Sequence, residues 1–392
     1  MEDNFTLHYK TTVHYGAGKL HELGRILRLQ NLSSALVITD PGIVASGIAQ
    51  KCIDALTSEH LDYGLFDKIE ANPTTASVKQ GLLFAERKKF DSVVALGGGS
   101  AIDAAKAVNV LLRNGGRVAD YRGFNRVAKE GLPLIAIPTT AGSGSEMSSF
   151  MLISDDKNHQ KIVCSDPKII PQMAILDPTL TLGLPPSVTI ESGLDALTTA
   201  IEAYVSKAAT PHSDIFSLRA IEVIIQNIIR VTQEPSDLDA RSQMLIGANM
   251  AGLAVHLSYI GAAHSMSNPL SKHFSLAHGV AVGMVHPYVM LFNMQACPEK
   301  YRTIAHALGV ELTEGSGDLD IGRKGAMRIR DLLEKLALPS NLSEMGVREE
   351  LIPTMAQEAL SELSIDFNPV KPDLLQMKKL FLAAIRGDPS LL

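Results

Sequence analysis

Short apolar, β-branched runs recur through the first half of this chain and then stop. Ala35–Thr39 (ALVIT), Ser92–Leu96 (SVVAL), Leu134–Ile137 (LIAI) and Met173–Leu176 (MAIL) are separated by helical stretches such as Ala101–Leu112. That alternation predicts a parallel sheet with helices on both faces. Ser149–Ser154 and Gln160–Cys164 flank the polar turn Asp155-Asp156-Lys157-Asn158 and read as a hairpin. Past Leu184-Pro185-Pro186 the pattern changes. Ile221, Ile224, Ile225, Ile228 and Ile229 follow i, i+3, i+4, i+7, i+8, one helical stripe. Helical periodicity recurs at Ala240–Leu253, Gly325–Leu336 and Asp373–Ile385. At 392 residues the chain is too long for one ordinary core. The expectation is an α/β domain over 1–186 and an all-α domain over 187–392, packed directly against each other with a ligand cleft between them.

Composition narrows the partners. A net charge of −6 disfavours nucleic acid, which wants a basic face. Met1-Glu2-Asp3-Asn4 lacks the basic and apolar regions of a signal peptide, and no apolar run approaches the roughly 20 residues of a membrane span. Three distant cysteines, Cys52, Cys164 and Cys297, argue against paired disulfides and for a reducing compartment. A cytoplasmic protein is expected.

Two loops carry phosphate-binding chemistry. Gly97-Gly98-Gly99-Ser100 joins a strand to a helix, where glycines permit close backbone approach and the helix N-terminus offers N–H groups to a pyrophosphate. A tight turn with no ligand is the plain alternative, and the strict G-x-G-x-x-G spacing is absent. Pro138–Glu146 (PTTAGSGSE) crowds hydroxyls and glycines at a second strand end, on the side of an open α/β sheet where ligands bind. Asp40 also ends a strand, where a carboxylate can bind a ribose diol and repel a 2′-phosphate, favouring NAD over NADP; Asp before Pro is equally an ordinary turn residue.

The second half offers metal ligands. Ser192 reads as the N-cap of a helix on which Asp195 and Thr199 share a face. His264 and His278 follow. One carboxylate and two imidazoles can hold a divalent metal with a position left open. Their spacing matches no compact motif, so ordinary satisfied histidines remain the alternative on spacing alone.

Taken together these segments resemble the iron-containing (group III) alcohol dehydrogenase family. The resemblance rests on Val13-His14-Tyr15-Gly16-Ala17-Gly18, GGGSAIDAAK at Gly97–Lys106, PTTAGSGSE at Pro138–Glu146, Lys161 with Ser165-Asp166-Pro167, and Asp177-Pro178. It continues through GLDALTTAIEAYVS at Gly193–Ser206, the His264 and His278 segments and Asn368-Pro369. It implies a Rossmann-like N-terminal domain in a dehydroquinate synthase-like two-domain architecture. It also implies NAD, a divalent metal (Fe²⁺ or Zn²⁺), and hydride transfer between the nicotinamide and a small alcohol or aldehyde. Asp195, His264 and His278 look like the metal ligands. Asp40, Asn72, Gly98, Gly99, Ser100, Thr139, Thr140, Ser143 and Lys161 look like the cofactor contacts. A homo-oligomer, dimer or larger, is usual in the family.

The departures from the family pattern matter. Thr199 stands where the family usually has a metal-binding His, and Asn268 where it usually has a proton-relaying His; Asn does not titrate near neutral pH. Three readings stay open. Asp195, His264 and His278 hold the metal alone, as in the similar glycerol dehydrogenases with zinc; or His256 or His273 takes over ligation or proton transfer; or no metal binds. The candidate catalytic residues are therefore Asn268, His256 and Lys161. Lys272, His273 and His256 would make the pocket cationic and suit an aldehyde bearing an acidic group. Two competing functions are an NAD- and metal-using lyase related to dehydroquinate synthase, and a nucleotide-binding member whose chemistry is lost or metal-free.

Overall fold

A computed structural model describes residues 7, 9–157, 160–311 and 315–392; Met1–Asn4 and Asn158 of the expected turn lie outside the described residues. The chain divides into two compact units between Leu184 and Pro185.

Among the described residues the first unit carries nine strands: β1 (Thr12–Tyr15), β2 (Ser34–Ile38), β3 (Asp62–Phe66), β4 (Ser92–Gly97), β5 (Gly123–Phe124), β6 (Leu134–Pro138), β7 (Phe150–Ser154), β8 (Lys161–Ser165) and β9 (Met173–Leu176). Its α-helices are α1 (Leu23–Leu29), α2 (Pro41–Ala45), α3 (Ile48–Thr57), α4 (Thr75–Ala85) and α5 (Gly99–Asn114). Six strands form a parallel sheet in the order β1-β9-β6-β4-β2-β3. The four inner strands are those whose apolar runs stand out in the sequence. Covered on both faces, they read as unbroken hydrophobic segments, and every residue of β4 and β6 is buried. The edge strands β1 and β3 are mostly exposed or half-buried, so their more polar sequences carry no such signal. The expected hairpin is the antiparallel pair β7–β8, in register from Phe150 opposite Ser165 to Ser154 opposite Lys161.

Adjacency in the sheet positions the two glycine-rich loops. β4 and β6 are neighbours, and Gly97 pairs with Pro138 at their carboxyl ends. The loops that leave these strands therefore start side by side, although 41 residues (138 − 97) separate them in the chain.

The second unit is helical: α6 (Pro186–Val205), α7 (Pro211–Gln233), α8 (Leu238–Ser258), α9 (Ala262–Phe274), α10 (His278–Asn293), α11 (Pro298–Ala307), α12 (Asp318–Lys335), α13 (Ile352–Leu360) and α14 (Leu374–Arg386). The isoleucine stripe lies on α7, with Ile221, Ile224, Ile225 and Ile228 buried. Ser192 is not an N-cap. α6 begins two turns earlier, with Pro185 as its N-cap residue and Pro186 at its first position; proline supplies a helical φ there and lacks the N–H that would go unpaired. Among the described residues no single helix is long and apolar enough to cross a membrane. The cysteines are free thiols, and burial pushes those of Cys52 and Cys164 up to about 12 and that of Cys297 to about 11, leaving none activated.

Candidate functional site

In the α/β unit the site is made largely of backbone. Gly97 adopts φ 147°, and Gly98 is the N-cap of α5 with no side chain capping that helix. The first N–H groups of a sixteen-residue helix thus face out at the end of β4. A methyl on Gly99 would come within 2.7 Å of Ser143 Oγ, and one on Gly98 within 3.3 Å of Thr140 Oγ1. The two loops therefore touch at these positions, and glycine makes the approach possible. Thr139 is buried, donates its N–H to Gly97 O at 3.0 Å, and leaves Oγ1 with no hydrogen-bond partner. Beneath the loop, buried Lys106 donates to Ser145 Oγ, Ser148 O and Phe150 O at 2.9, 2.9 and 2.6 Å, while Asp103 accepts from Ser145 Oγ and Leu152 N.

Three further sequence candidates gather beside this loop. Asn72, with φ 57°, donates its N–H to Ser100 Oγ at 3.2 Å and accepts from Lys161 Nζ at 3.0 Å. Asp40 is the N-cap of α2, Oδ1 accepting from Ile43 N at 3.0 Å, with Oδ2 facing Gly97.

In the helical unit the site is made of side chains. Asp195 on α6, His264 on α9 and His278 at the first position of α10 bring one ligand atom each to within 4.8 Å of one another. Asp195 Oδ1 lies 3.3 Å from His264 Nε2 and 3.9 Å from His278 Nε2. The outward nitrogens have acceptors. His264 Nδ1 meets Glu202 Oε2 at 2.6 Å, and His278 Nδ1 meets Ser267 Oγ at 3.4 Å. Ser267 spends its own hydroxyl proton on His264 O at 2.8 Å, so toward His278 it acts as acceptor. With their Nδ1 atoms engaged by Glu202 and Ser267, both imidazoles turn Nε2 toward Asp195, the nitrogen whose lone pair a metal would take on displacing its proton.

Electrostatics favour a cation at that point. Burial opposes a charge on His264, but hydrogen bonds and charge from Asp195 and Glu202 prevail and raise its pKa to about 9. Burial likewise pushes Asp195 and Glu202 up. For Asp195, the His264 hydrogen bond and the charges of His278 and His264 hold it below its ordinary value. For Glu202, the His264 hydrogen bond and charge lead the same outcome. One carboxylate oxygen and two imidazole nitrogens in this arrangement fit a three-ligand divalent metal with an open position, Zn²⁺ or Fe²⁺ by donor type.

The other candidates fall outside that cluster. Thr199 Oγ1 lies 3.3 Å from His264 Nε2 but is a neutral hydroxyl. Asn268 is half-buried on α9, one turn after His264, and His256 is half-buried on α8. His273 and Lys272 are a correction to the cationic-pocket expectation. His273 Nε2 and Lys272 Nζ both meet Glu358 on α13, at 2.8 and 2.6 Å, so one carboxylate offsets part of their charge and engages the imidazole Nε2. Glu202 was missed in the sequence. Its one signal was position: with Asp195 and Thr199 it continues the same α6 face at i+7 and i+3.

The chain is similar to proteins of known activity over nearly its whole length. Residues 10–178 match the family described as iron-containing alcohol dehydrogenase, and residues 189–385 match the C-terminal part of the same family. The chain is 34% identical to the NAD-dependent methanol dehydrogenase of Bacillus methanolicus, over 90% of this chain and 93% of that protein. It is 34% identical to the lactaldehyde reductase of Escherichia coli K12, over 95% and 97%. A crystal structure of a 1,3-propanediol oxidoreductase superposes with a TM-score of 0.94 at 30% identity, covering 97% of this chain and all of that one.

Proposed function

This chain belongs to the iron-containing alcohol dehydrogenase family, metal-assisted NAD-linked oxidoreductases of alcohols and aldehydes, and on that footing we propose which of its residues do the work. Asp195, His264 and His278 hold the metal. Gly98, Gly99, Ser100, Thr139, Thr140 and Ser143 bind the pyrophosphate region of NAD, and Asp40, Asn72 and Lys161 its sugar and nearby groups. A divalent metal bound there supplies Lewis-acid polarisation of the substrate oxygen, and NAD supplies or accepts the hydride. Asn268 orients the substrate through its amide and exchanges no proton. His256 is the titratable group proposed for proton transfer. The substrate is a small alcohol or aldehyde, the compartment the cytoplasm, and the assembly a homo-oligomer.

The observation that carries this reading is the convergence of three ligand atoms within 4.8 Å, both imidazoles turned Nε2-inward by partners on Nδ1. The test is metal reconstitution. The protein is stripped with a chelator under anaerobic conditions, and NADH oxidation is followed with a panel of neutral and acidic aldehydes, with Fe²⁺, with Zn²⁺ and with neither. Activity that returns only with metal supports the assignment. Activity indifferent to metal overturns it. NADH binding without turnover under any condition would favour a member whose chemistry is lost.

A further inference from the structure

One face of α6 reaches beyond the ligand it carries. Glu191, Asp195, Thr199 and Glu202 follow i, i+4, i+8, i+11 and so form a single stripe. Three of the four are carboxylates, and like charges four apart on a helix oppose each other. Asp195, between the other two, points at the histidines. Glu202 and Glu191 each meet the start of another helix.

Glu202 is 1% exposed and accepts three hydrogen bonds: Gly261 N at 2.9 Å, Ala263 N at 2.7 Å and His264 Nδ1 at 2.6 Å. The first two are N–H groups at the entry to α9, and Asn368 Oδ1 takes the third, Ala262 N, at 3.1 Å. The same carboxylate therefore anchors the helix that carries His264 and grips the ring itself. A methyl on Gly261 would stand 2.6 Å from Asn368 Oδ1 and 3.1 Å from Glu202 Oε1, so the glycine is what lets the helix start sit so close. At the other end of the stripe, Glu191 accepts the backbone N–H groups of His278 and Gly279, the first turn of α10. A methyl on Gly279 would fall 2.0 Å from Glu191 O and 3.1 Å from Asp195 Cβ, so α10 begins directly on the α6 backbone. Both contacts place an anion at the positive end of a helix dipole, which offsets the repulsion along the stripe.

We propose that Glu191 and Glu202 are positioning residues for the metal site: each anchors the N-terminus of one histidine-bearing helix to α6, and Glu202 also fixes the tautomer of His264. The proposal rests on Asp195, His264 and His278 being the metal ligands. α6 is thereby a template three turns long, with a helix anchor at each end and a ligand between. Gln at 202 cannot reproduce the contacts. A carboxylate presents acceptors on both oxygens, whereas an amide turns an N–H₂ either toward Ala263 N–H or toward Gly261 N–H and the His264 ring.

The test is equilibrium Zn²⁺ binding to chelator-stripped full-length protein, by competition with a metal indicator, for wild type, Glu202→Gln and Glu191→Gln. Apo Tm and NADH affinity are measured alongside. The expected result is a loss of Zn²⁺ affinity of about 10- to 100-fold, larger for Glu202→Gln, in protein that still binds NADH with wild-type affinity. A purely structural role would lower the apo Tm and leave the Zn²⁺ affinity of the folded protein unchanged; that result in both variants overturns the proposal. Should Glu202→Gln not fold, Glu191→Gln decides, because Glu191 is only half-buried and its carboxylate serves the first turn of α10. Wild-type protein that binds no Zn²⁺ would overturn the ligand assignment itself, an outcome distinct from wild-type binding with unaffected variants.

Discussion

The α/β unit and the helical unit prepare their sites from different material. In the first, the groups offered to a ligand are mostly main-chain N–H at the start of α5 and in the 138–146 loop, and the side chains that matter are small: Gly97, Gly98, Gly99, Thr139, Thr140, Ser143. In the second, every group offered is a side chain, and the three come from three helices, α6, α9 and α10. A site made of main chain tolerates changes that leave the backbone path alone and fails when a Cβ is added. A site made of side chains fails when a ligand or its partner is replaced and depends on how helices are anchored.

The sharpest test of that contrast is His264→Ala. It removes a ligand and takes one of the three hydrogen bonds from Glu202, and metal content and NADH-coupled turnover should each fall more than about 100-fold, beyond the loss expected for an indirect partner. Fluorescence titration should show NADH affinity unchanged; a parallel loss of NADH binding would break the division between the two sites. The mirror experiment is Gly99→Val, which drives a side chain into Ser143, already 2.7 Å from a Cβ at that position. The NADH dissociation constant should rise about 10-fold or more, the equivalent of one to two hydrogen bonds, with Zn²⁺ affinity untouched.

Thr199→His asks whether the three-ligand set is short of a donor. Its Oγ1 is 3.3 Å from His264 Nε2, so an imidazole there enters the cluster, and Zn²⁺ affinity should rise about 10-fold as the fourth position is filled. Unchanged affinity would mean the three residues already satisfy the ion with solvent or substrate. A smaller effect concerns pH. Burial lowers the pKa of His286 on α10 from 6.5 to about 4, so the unfolded chain binds a proton that the folded one refuses between those values. Stability is therefore full above about pH 6.5 and declines on acidification toward 4. His286→Leu should flatten that decline in a Tm-versus-pH series, and an unaltered slope would remove His286 as its source.

The smallest effect is expected at Glu358, which pairs with Lys272 and His273 at a partly exposed site. Glu358→Gln should change unfolding free energy by no more than about 1 kcal/mol. The KM ratio of acidic to neutral aldehydes should not move. A selective drop in KM for the acidic substrates would restore these two cations to the pocket.

The sequence alone determined the features that local chemistry writes contiguously. The inner strands declare themselves because burial on both faces demands unbroken apolar runs, and the phosphate loops because glycines and hydroxyls must sit consecutively where a strand gives way to a helix. Asp195, His264 and His278 could be named as a candidate set, but nothing in their spacing says that they meet. That was decided by the tertiary structure, through the packing of α6, α9 and α10 and the close approaches at Gly261 and Gly279. The same holds for residues read less well. Ser192 looks like a cap until Pro185-Pro186 is seen to start the helix earlier, Lys272 and His273 look free until Glu358 arrives from 85 residues away, and Glu202 looks like an ordinary helix glutamate until α9 begins on top of it. Main-chain sites are local because hydrogen-bond geometry repeats within a few residues. Side-chain sites are not, because a carboxylate and an imidazole on different helices acquire their roles only from the contact between those helices.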